Sequence, residues 1–315
     1  VNPSAATLLL FAVLPLATLP HQASAAGDSE GKANQAATSP LPSGPGLAEK
    51  FPGDLNIASH PEVIFADSFE SPEIGATWDE KSDPAKNVLS LTSPGDAPGL
   101  GKQCLRVTAT LGKDTGGGLT KWFTSADRIF IRFHTRFGAD CDYVHHFVTL
   151  RANKSLHGKD RWSGFGGAGV KPDGTERFST AIEPWGNWGK YPPPGRWNFY
   201  TYWHEMTASP DGRHWGNSFH VPAAPAIPRD TWICVEFMLR HNTPGKPDGE
   251  QAFWIDGKLQ GHWTHINWRT SPTLMANALT LETYITDRWT KHPVNRVDFD
   301  NLVIARQYIG PTHPN

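Results

Sequence analysis

Arg128-Ile-Phe-Ile-Arg-Phe-His-Thr-Arg-Phe137 alternates without a break. Ile129, Ile131, Phe133, Thr135 and Phe137 fall on one face; Arg128, Phe130, Arg132, His134 and Arg136 fall on the other. Successive side chains of an extended chain point to opposite sides, so this period of two predicts a strand with one buried face. The same reading holds at four further runs. In Tyr143–Arg151, Val144, His146, Val148 and Leu150 oppose His145, Phe147, Thr149 and Arg151. In Asn198–Glu205, Phe199, Thr201 and Trp203 oppose Tyr200, Tyr202 and His204. In Thr231–Arg240, Ile233, Val235, Phe237 and Leu239 oppose Cys234, Glu236, Met238 and Arg240. In Leu279–Ile285, Leu281, Thr283 and Ile285 oppose Thr280, Glu282 and Tyr284.

Turn chemistry separates these runs. The 315 residues include 30 glycines and 27 prolines, clustered in stretches such as Pro172-Asp173-Gly174, Pro210-Asp211-Gly212 and Pro244-Gly245-Lys246-Pro247. No long amphipathic helix and no internal repeat interrupt them. The expected fold is all-β: one two-sheet antiparallel sandwich over residues 61–315.

The N-terminal part has a different texture. Ala5–Leu19 is an uncharged apolar run, followed by Ala23-Ser24-Ala25, a small-x-small cleavage signature. Residues 1–25 are therefore expected to be a signal peptide, and the mature protein secreted or periplasmic. No Lys or Arg precedes the run, which departs from the usual pattern. Residues 26–60, rich in Ala, Ser, Pro and Gly, read as a flexible linker outside the core. No long apolar span follows, so no membrane association is expected after cleavage. A net charge of −2 weighs against a nucleic-acid partner. The three cysteines, Cys104, Cys141 and Cys234, allow at most one intramolecular bridge and contain no C-x-x-C pair. A monomer is the expected state.

The chain ends carry a resemblance. Val63-Ile-Phe-Ala-Asp67-Ser-Phe-Glu70 near the start, Phe253-Trp-Ile-Asp-Gly257 entering a tight turn, and Val297-Asp-Phe-Asp300-Asn followed by Tyr308-Ile-Gly-Pro311 resemble the concanavalin A-like jelly-roll polysaccharide lyases. The alginate and glucuronan lyases and the fungal cellulose-induced lyase-like proteins are the similar groups. The resemblance implies that the first and last strands pair, and that a structural calcium sits where they meet. Asp67, Glu70 and Asp300 are its expected ligands, being hard oxygen donors. Arg132-Phe-His134 with Tyr143-Val-His145-His146 is similar to the strand pair that supplies a basic catalytic residue in one such group; Tyr200-Thr-Tyr202 is similar to its paired tyrosines.

The chemistry thus implied is β-elimination on a uronate-containing acidic polysaccharide. A cation neutralises the sugar carboxylate, a base removes the adjacent proton, and an acid protonates the leaving oxygen. Arg132 suits the first role because guanidinium forks onto carboxylate. His145 suits the base, and Tyr200 or Tyr202 the base, the acid or both. His134, Arg151, Glu183, His204, Glu236, Arg240, Glu282 and Tyr284 are the expected substrate-binding residues of one groove formed by strands 128–137, 143–151 and 198–205. Trp185 and Trp188 are expected to stack on sugar rings. His146 has core parity and serves as the contrast, unless a bulge exchanges it with His145.

Two other readings stay open. A non-catalytic, lectin-like module would need the aromatics without the Arg-His-Tyr set. A glycoside hydrolase would need two facing carboxylates, for which Glu236 and Glu282 are the candidates.

Overall fold

The computed structural model describes residues 41–95, 97 and 99–313. The expected signal peptide and the first part of the expected linker lie outside the described residues. Fifteen strands follow in order: β1 Val63–Asp67, β2 Glu80–Lys81, β3 Leu89–Thr92, β4 Cys104–Thr110, β5 Gly116–Trp122, β6 Arg128–Phe137, β7 Val148–Asn153, β8 Arg177–Trp185, β9 Arg196–Tyr202, β10 Asn217–His220, β11 Ile233–Arg240, β12 Gly249–Ile255, β13 Lys258–Ile266, β14 Met275–Tyr284 and β15 Val294–Ala305. Among the described residues the only helices are short 3-10 turns.

The strands form two antiparallel sheets. The back sheet runs β13-β12-β11-β6-β15-β4-β3, with β1 also paired to β15. The front sheet runs β10-β9-β8-β7-β14-β5-β2. Val63 opposes Ala305 and Asp67 opposes Leu302, so the two ends of the domain close on each other. The architecture is the two-sheet jelly roll expected from the alternating runs.

Between the sheets lies the core that the apolar parities specified. Ile129, Ile131, Phe133 and Phe137 of β6 meet Val148 and Leu150 of β7, Phe199 of β9, Val235 and Phe237 of β11, and Leu279 and Leu281 of β14. Asp256 (φ 48°) and Gly257 (φ 73°) turn β12 into β13, the left-handed pair that a two-residue hairpin requires.

One segment differs from the sequence reading. Residues 41–60, assigned above to the flexible linker, pack as a strap on the outer face of the back sheet. Leu47, Ala48 and Ile57 join Phe130, Met238, Ala252, Trp254, Val303, Tyr308 and Ile309 in a second apolar cluster. The backbone continues this contact, with the Leu47 and Ala48 N–H groups donating to the Tyr308 and Ile309 carbonyls at 3.2 and 2.8 Å. The linker reading failed because the anchors are sparse: a few apolar residues among Pro, Gly and Ser carry no period, yet suffice on a preformed sheet.

Candidate active site on the outer face of the front sheet

The outer faces of the two sheets must be distinguished, and strand parity cannot do this. Parity says which side chains leave the core; it does not say on which side of the sandwich they emerge.

Arg132 emerges on the back sheet. There it is fully buried under the strap. Its Nη2 lies 2.6 Å from Asp54 Oδ2 and its Nη1 donates to the Asn301 carbonyl at 2.8 Å. His134 is beside it, and burial followed by the Arg132 charge holds that imidazole well below its usual range. Glu236 is on the same face, its two oxygens accepting the Ile309 and Gly310 N–H groups at 2.8 Å each. Arg240 is bound to Glu250 at 2.8 Å. Arg132, His134, Glu236 and Arg240 therefore do not share a groove with the tyrosines. This corrects the single-groove expectation: β6 belongs to the back sheet, β7 and β9 to the front. It also removes the Glu236–Glu282 pair, since Glu282 is on the front sheet. His204 lies in the loop after β9, against Gly174.

The front sheet brings the remaining candidates together. Cross-strand register sets Tyr200 beside Ala181, Ala181 beside Thr149, and Thr149 beside Thr280. One row further on, Tyr202 faces Ser179, which faces Arg151. In the opposite direction Glu183 faces Asn198. Small side chains in the middle of these rows leave the larger ones standing around them. Glu183, Asn198, Thr149 and Thr280 point outward yet are under 10% exposed, whereas His146 and Tyr284 at the margin are exposed. The face is thus a depression with a polar floor.

The hydroxyls of Tyr200 and Tyr202 are 3.2 Å apart. Gly216 makes room for the pair, because a Cβ there would come within 2.6 Å of the Tyr200 ring. Burial, then the neighbouring Tyr202, pushes the pKa of the Tyr200 phenol above its ordinary value, so Tyr200 keeps its proton. Arg151 binds Glu282 at 3.1 Å and Thr280 Oγ1 at 3.2 Å, and its guanidinium lies over the Phe165 ring. Arg177 is held by the Gly166, Gly167 and Val170 carbonyls and interacts electrostatically with the Tyr202 phenol.

The two histidines exchange sides relative to the alternating pattern. His145 pairs through its backbone with Tyr284, and its Nε2 is buried without a hydrogen-bond partner. Burial, then the charges of His146 and Arg288, pushes it down to about 4. His146 takes a left-handed backbone (φ 46°). That twist lets Phe147 and Val148 both enter the core and turns the imidazole outward. Its ring stacks on Tyr284 at 5.9 Å and lies 6.4 Å from the Tyr200 ring. Although the residue keeps an exposed edge, desolvation of its ring against the sheet lowers its basicity more than the Glu282 charge restores it, so the imidazole is neutral near pH 7. Alternation could not find this residue, since one left-handed residue reverses parity; the tolerance of His for that conformation was the available signal. Asn198 shares the parity of Tyr200 and Tyr202 and was legible. Arg177 was missed because β8 was not read as a strand.

Aromatics flank the depression. Trp185 contacts Trp188, Tyr191 and His220, with centroids 5.6, 5.9 and 4.7 Å away, and Trp188 is 49% exposed. A second group, Trp122, Trp162 and Phe165, stands by β5 with Arg161 over Trp122.

The expected calcium ligands fare unequally. Asp67 is fully engaged: its Oδ1 accepts the Phe69 N–H at 2.8 Å and its Oδ2 accepts Trp78 Nε1 at 2.7 Å and Thr77 Oγ1 at 3.3 Å. Glu70 Oε1 takes the Lys102 and Gln103 N–H groups. Asp300 Oδ1 takes the Asn301 N–H, and its Oδ2 is buried with no partner. Burial, then the Glu70 and Asp54 charges, pushes Asp300 up to about 8. Glu70 and Asp300 are near enough to interact electrostatically, whereas Asp67 is taken up by its own hydrogen bonds. Among the described residues, no group of three or more His, Cys, Asp or Glu side chains is placed to hold a metal.

No family model and no curated protein matches the chain. Solved structures do. The PL-14 alginate lyase from Aplysia kurodai superposes with a TM-score of 0.57 at 13% identity, covering 78% of this chain and 99% of that one. The alginate lyase vAL-1 from Chlorella virus superposes with a TM-score of 0.52 at 15% identity, covering 73% of this chain and 100% of that one. An endo-beta-1,4-glucuronan lyase from Trichoderma reesei gives 0.47 at 12% identity over 78% of this chain and 96% of its own. The first two superpositions show that the chain shares the jelly-roll fold of these alginate lyases.

Proposed function

We propose that the outer face of the front sheet cleaves a uronate-containing acidic polysaccharide by β-elimination. The observation that carries this reading is the Tyr200–Tyr202 hydroxyl pair at 3.2 Å, set beside His146 and the Arg151–Glu282 pair on one face. The two similar structures named as alginate lyases support the substrate class.

The roles follow from protonation states pushed apart. Neutral His146 accepts the proton beside the sugar carboxylate. The electron pair left behind forms the carbon–carbon double bond and expels the glycosidic oxygen. Tyr200, which keeps its proton, donates it to that oxygen, and Tyr202 relays through the shared hydrogen bond. Arg177 and Arg151 supply the positive charge that stabilises the carboxylate as the carbanion develops. Trp188 offers a ring face to a neighbouring sugar.

We further infer export from the residue 5–25 pattern, and calcium held by Glu70 and Asp300 as a brace far from the reacting groups. Binding without turnover is the second reading, favoured by the exposed Trp188 beside Trp185.

The deciding experiment incubates the full chain with a panel of polyuronates and follows the ultraviolet absorbance of the unsaturated uronate product. Absorbance growth that Tyr200→Phe abolishes supports elimination. Retention on a polyuronate column without product supports the binding reading.

A further inference from the structure

Glu183 and Asn198 oppose each other across β8 and β9. Both are outward and both are buried, at 7% and 0% exposure. Each carries a buried oxygen with no hydrogen-bond partner, Glu183 Oε2 and Asn198 Oδ1. Two acceptors without donors, on residues paired across adjacent strands, are unfavourable in a site closed to solvent. One proton on Glu183 resolves both, because a carboxylic acid has an O–H to give to the amide oxygen. The backbone N–H of His146 lies near the carboxyl group and favours its charged form. That is the residue whose left-handed backbone carries the imidazole out of the core. Histidine tolerates this conformation better than most residues, at a modest cost that its surroundings offset.

We propose that Glu183 is a positioning residue: its neutral carboxyl group bridges Asn198 to the His146 backbone and so fixes the imidazole beside Tyr200. The activity readout of this proposal rests on the elimination reading; the structural readout does not.

The groups that face Glu183 agree with the neutral form. Glu282 stands on β14, His145 and His146 precede β7, Tyr200 lies on β9, and His220 of β10 is beyond Asn198. Burial and the Glu282 charge outweigh the His146 N–H and push the carboxyl up to about 8. Above that pH the bridge loses its proton and a charge enters the floor.

Three forms of the full chain decide the matter: wild type, Glu183→Gln and Glu183→Ala. Glutamine keeps one donor and one acceptor; alanine keeps neither. In wild type, turnover falls as pH rises through about 8. Glu183→Gln retains wild-type turnover to within about threefold and lacks that fall, whereas Glu183→Ala loses about ten- to a hundredfold in kcat with KM little changed. Carbon-13 NMR reads the same proposal without substrate. The Glu183 carboxyl titrates near 8, and the His146 ring resonances move in Glu183→Ala but not in Glu183→Gln. A Glu183 titrating in the ordinary glutamate range would overturn the proposal. So would a Glu183→Ala protein with unchanged His146 resonances, or a Glu183→Gln protein as impaired as Glu183→Ala. Absence of product from wild type on every polyuronate defeats the elimination reading alone, and the NMR arm still decides this one.

Discussion

Asp54 Oδ2 approaches Arg132 Nη2 to 2.6 Å in a layer closed to solvent by the strap. The guanidinium that the sequence offered as a substrate clamp is thus a structural cation. Removing one partner of a buried pair strands the other charge, which costs about 3–5 kcal/mol. Asp54→Ala is expected to lower the urea midpoint accordingly, and the double substitution Asp54→Leu with Arg132→Met to recover most of the loss. Equal damage from the single and double variants would contradict this account.

Tyr200→Phe is expected to lower kcat by about 10²–10⁴ with KM within about twofold, since only proton transfer is lost. His146→Ala should behave alike and His145→Ala much less so. Steady-state rates of unsaturated uronate formation check all three. The opposite ranking of the histidines would remove His146 from the base role.

Trp188→Ala is expected to raise KM about three- to tenfold and leave kcat near wild type, because a stacking platform acts on binding. A change confined to kcat would place Trp188 elsewhere in the cycle.

Calcium in excess is expected to raise the melting temperature, and chelator to lower it, in wild type but not in Asp300→Asn. Scanning calorimetry with and without chelator reads this directly. A melting temperature indifferent to both in wild type would exclude the brace.

His241 is a second reporter of burial. Its Nδ1–H donates to the Asp127 carbonyl at 2.9 Å, and its Nε2 accepts the Ala276 N–H at 2.9 Å, so only the neutral ring fits. Burial, foremost among the causes, pushes it down to about 4. The unfolded chain therefore binds the proton more readily than the folded one. The stability this group contributes is present above about 6.5 and lost as pH falls toward 4, about 3 kcal/mol in all. Urea unfolding across that range should show the slope, and His241→Gln should flatten it.

The alternating runs disclosed the fold because each strand buries one face, and β6, β9, β11 and β14 kept the parities their residues specified. The site was legible only in part. Tyr200, Tyr202, Arg151, Glu183, Glu282 and Tyr284 do meet on one face; Arg132, His134, Glu236 and Arg240 meet on the other. A period of two is blind to the side of the sandwich on which a strand lies, because that depends on strand order, a long-range property. It is equally blind to a single left-handed residue such as His146. The strap went unread for a related reason, its anchors having meaning only against a surface already folded.

The strap also determines where the chain tolerates shortening. A version beginning at residue 61 would uncover Phe130, Met238, Trp254 and Tyr308 together and leave the Arg132 charge without its carboxylate. Its greasy, unneutralised back would invite self-association during expression. Trimming for crystallisation or fusion should therefore stop short of residue 41, and a tag placed ahead of that point leaves the back sheet sealed.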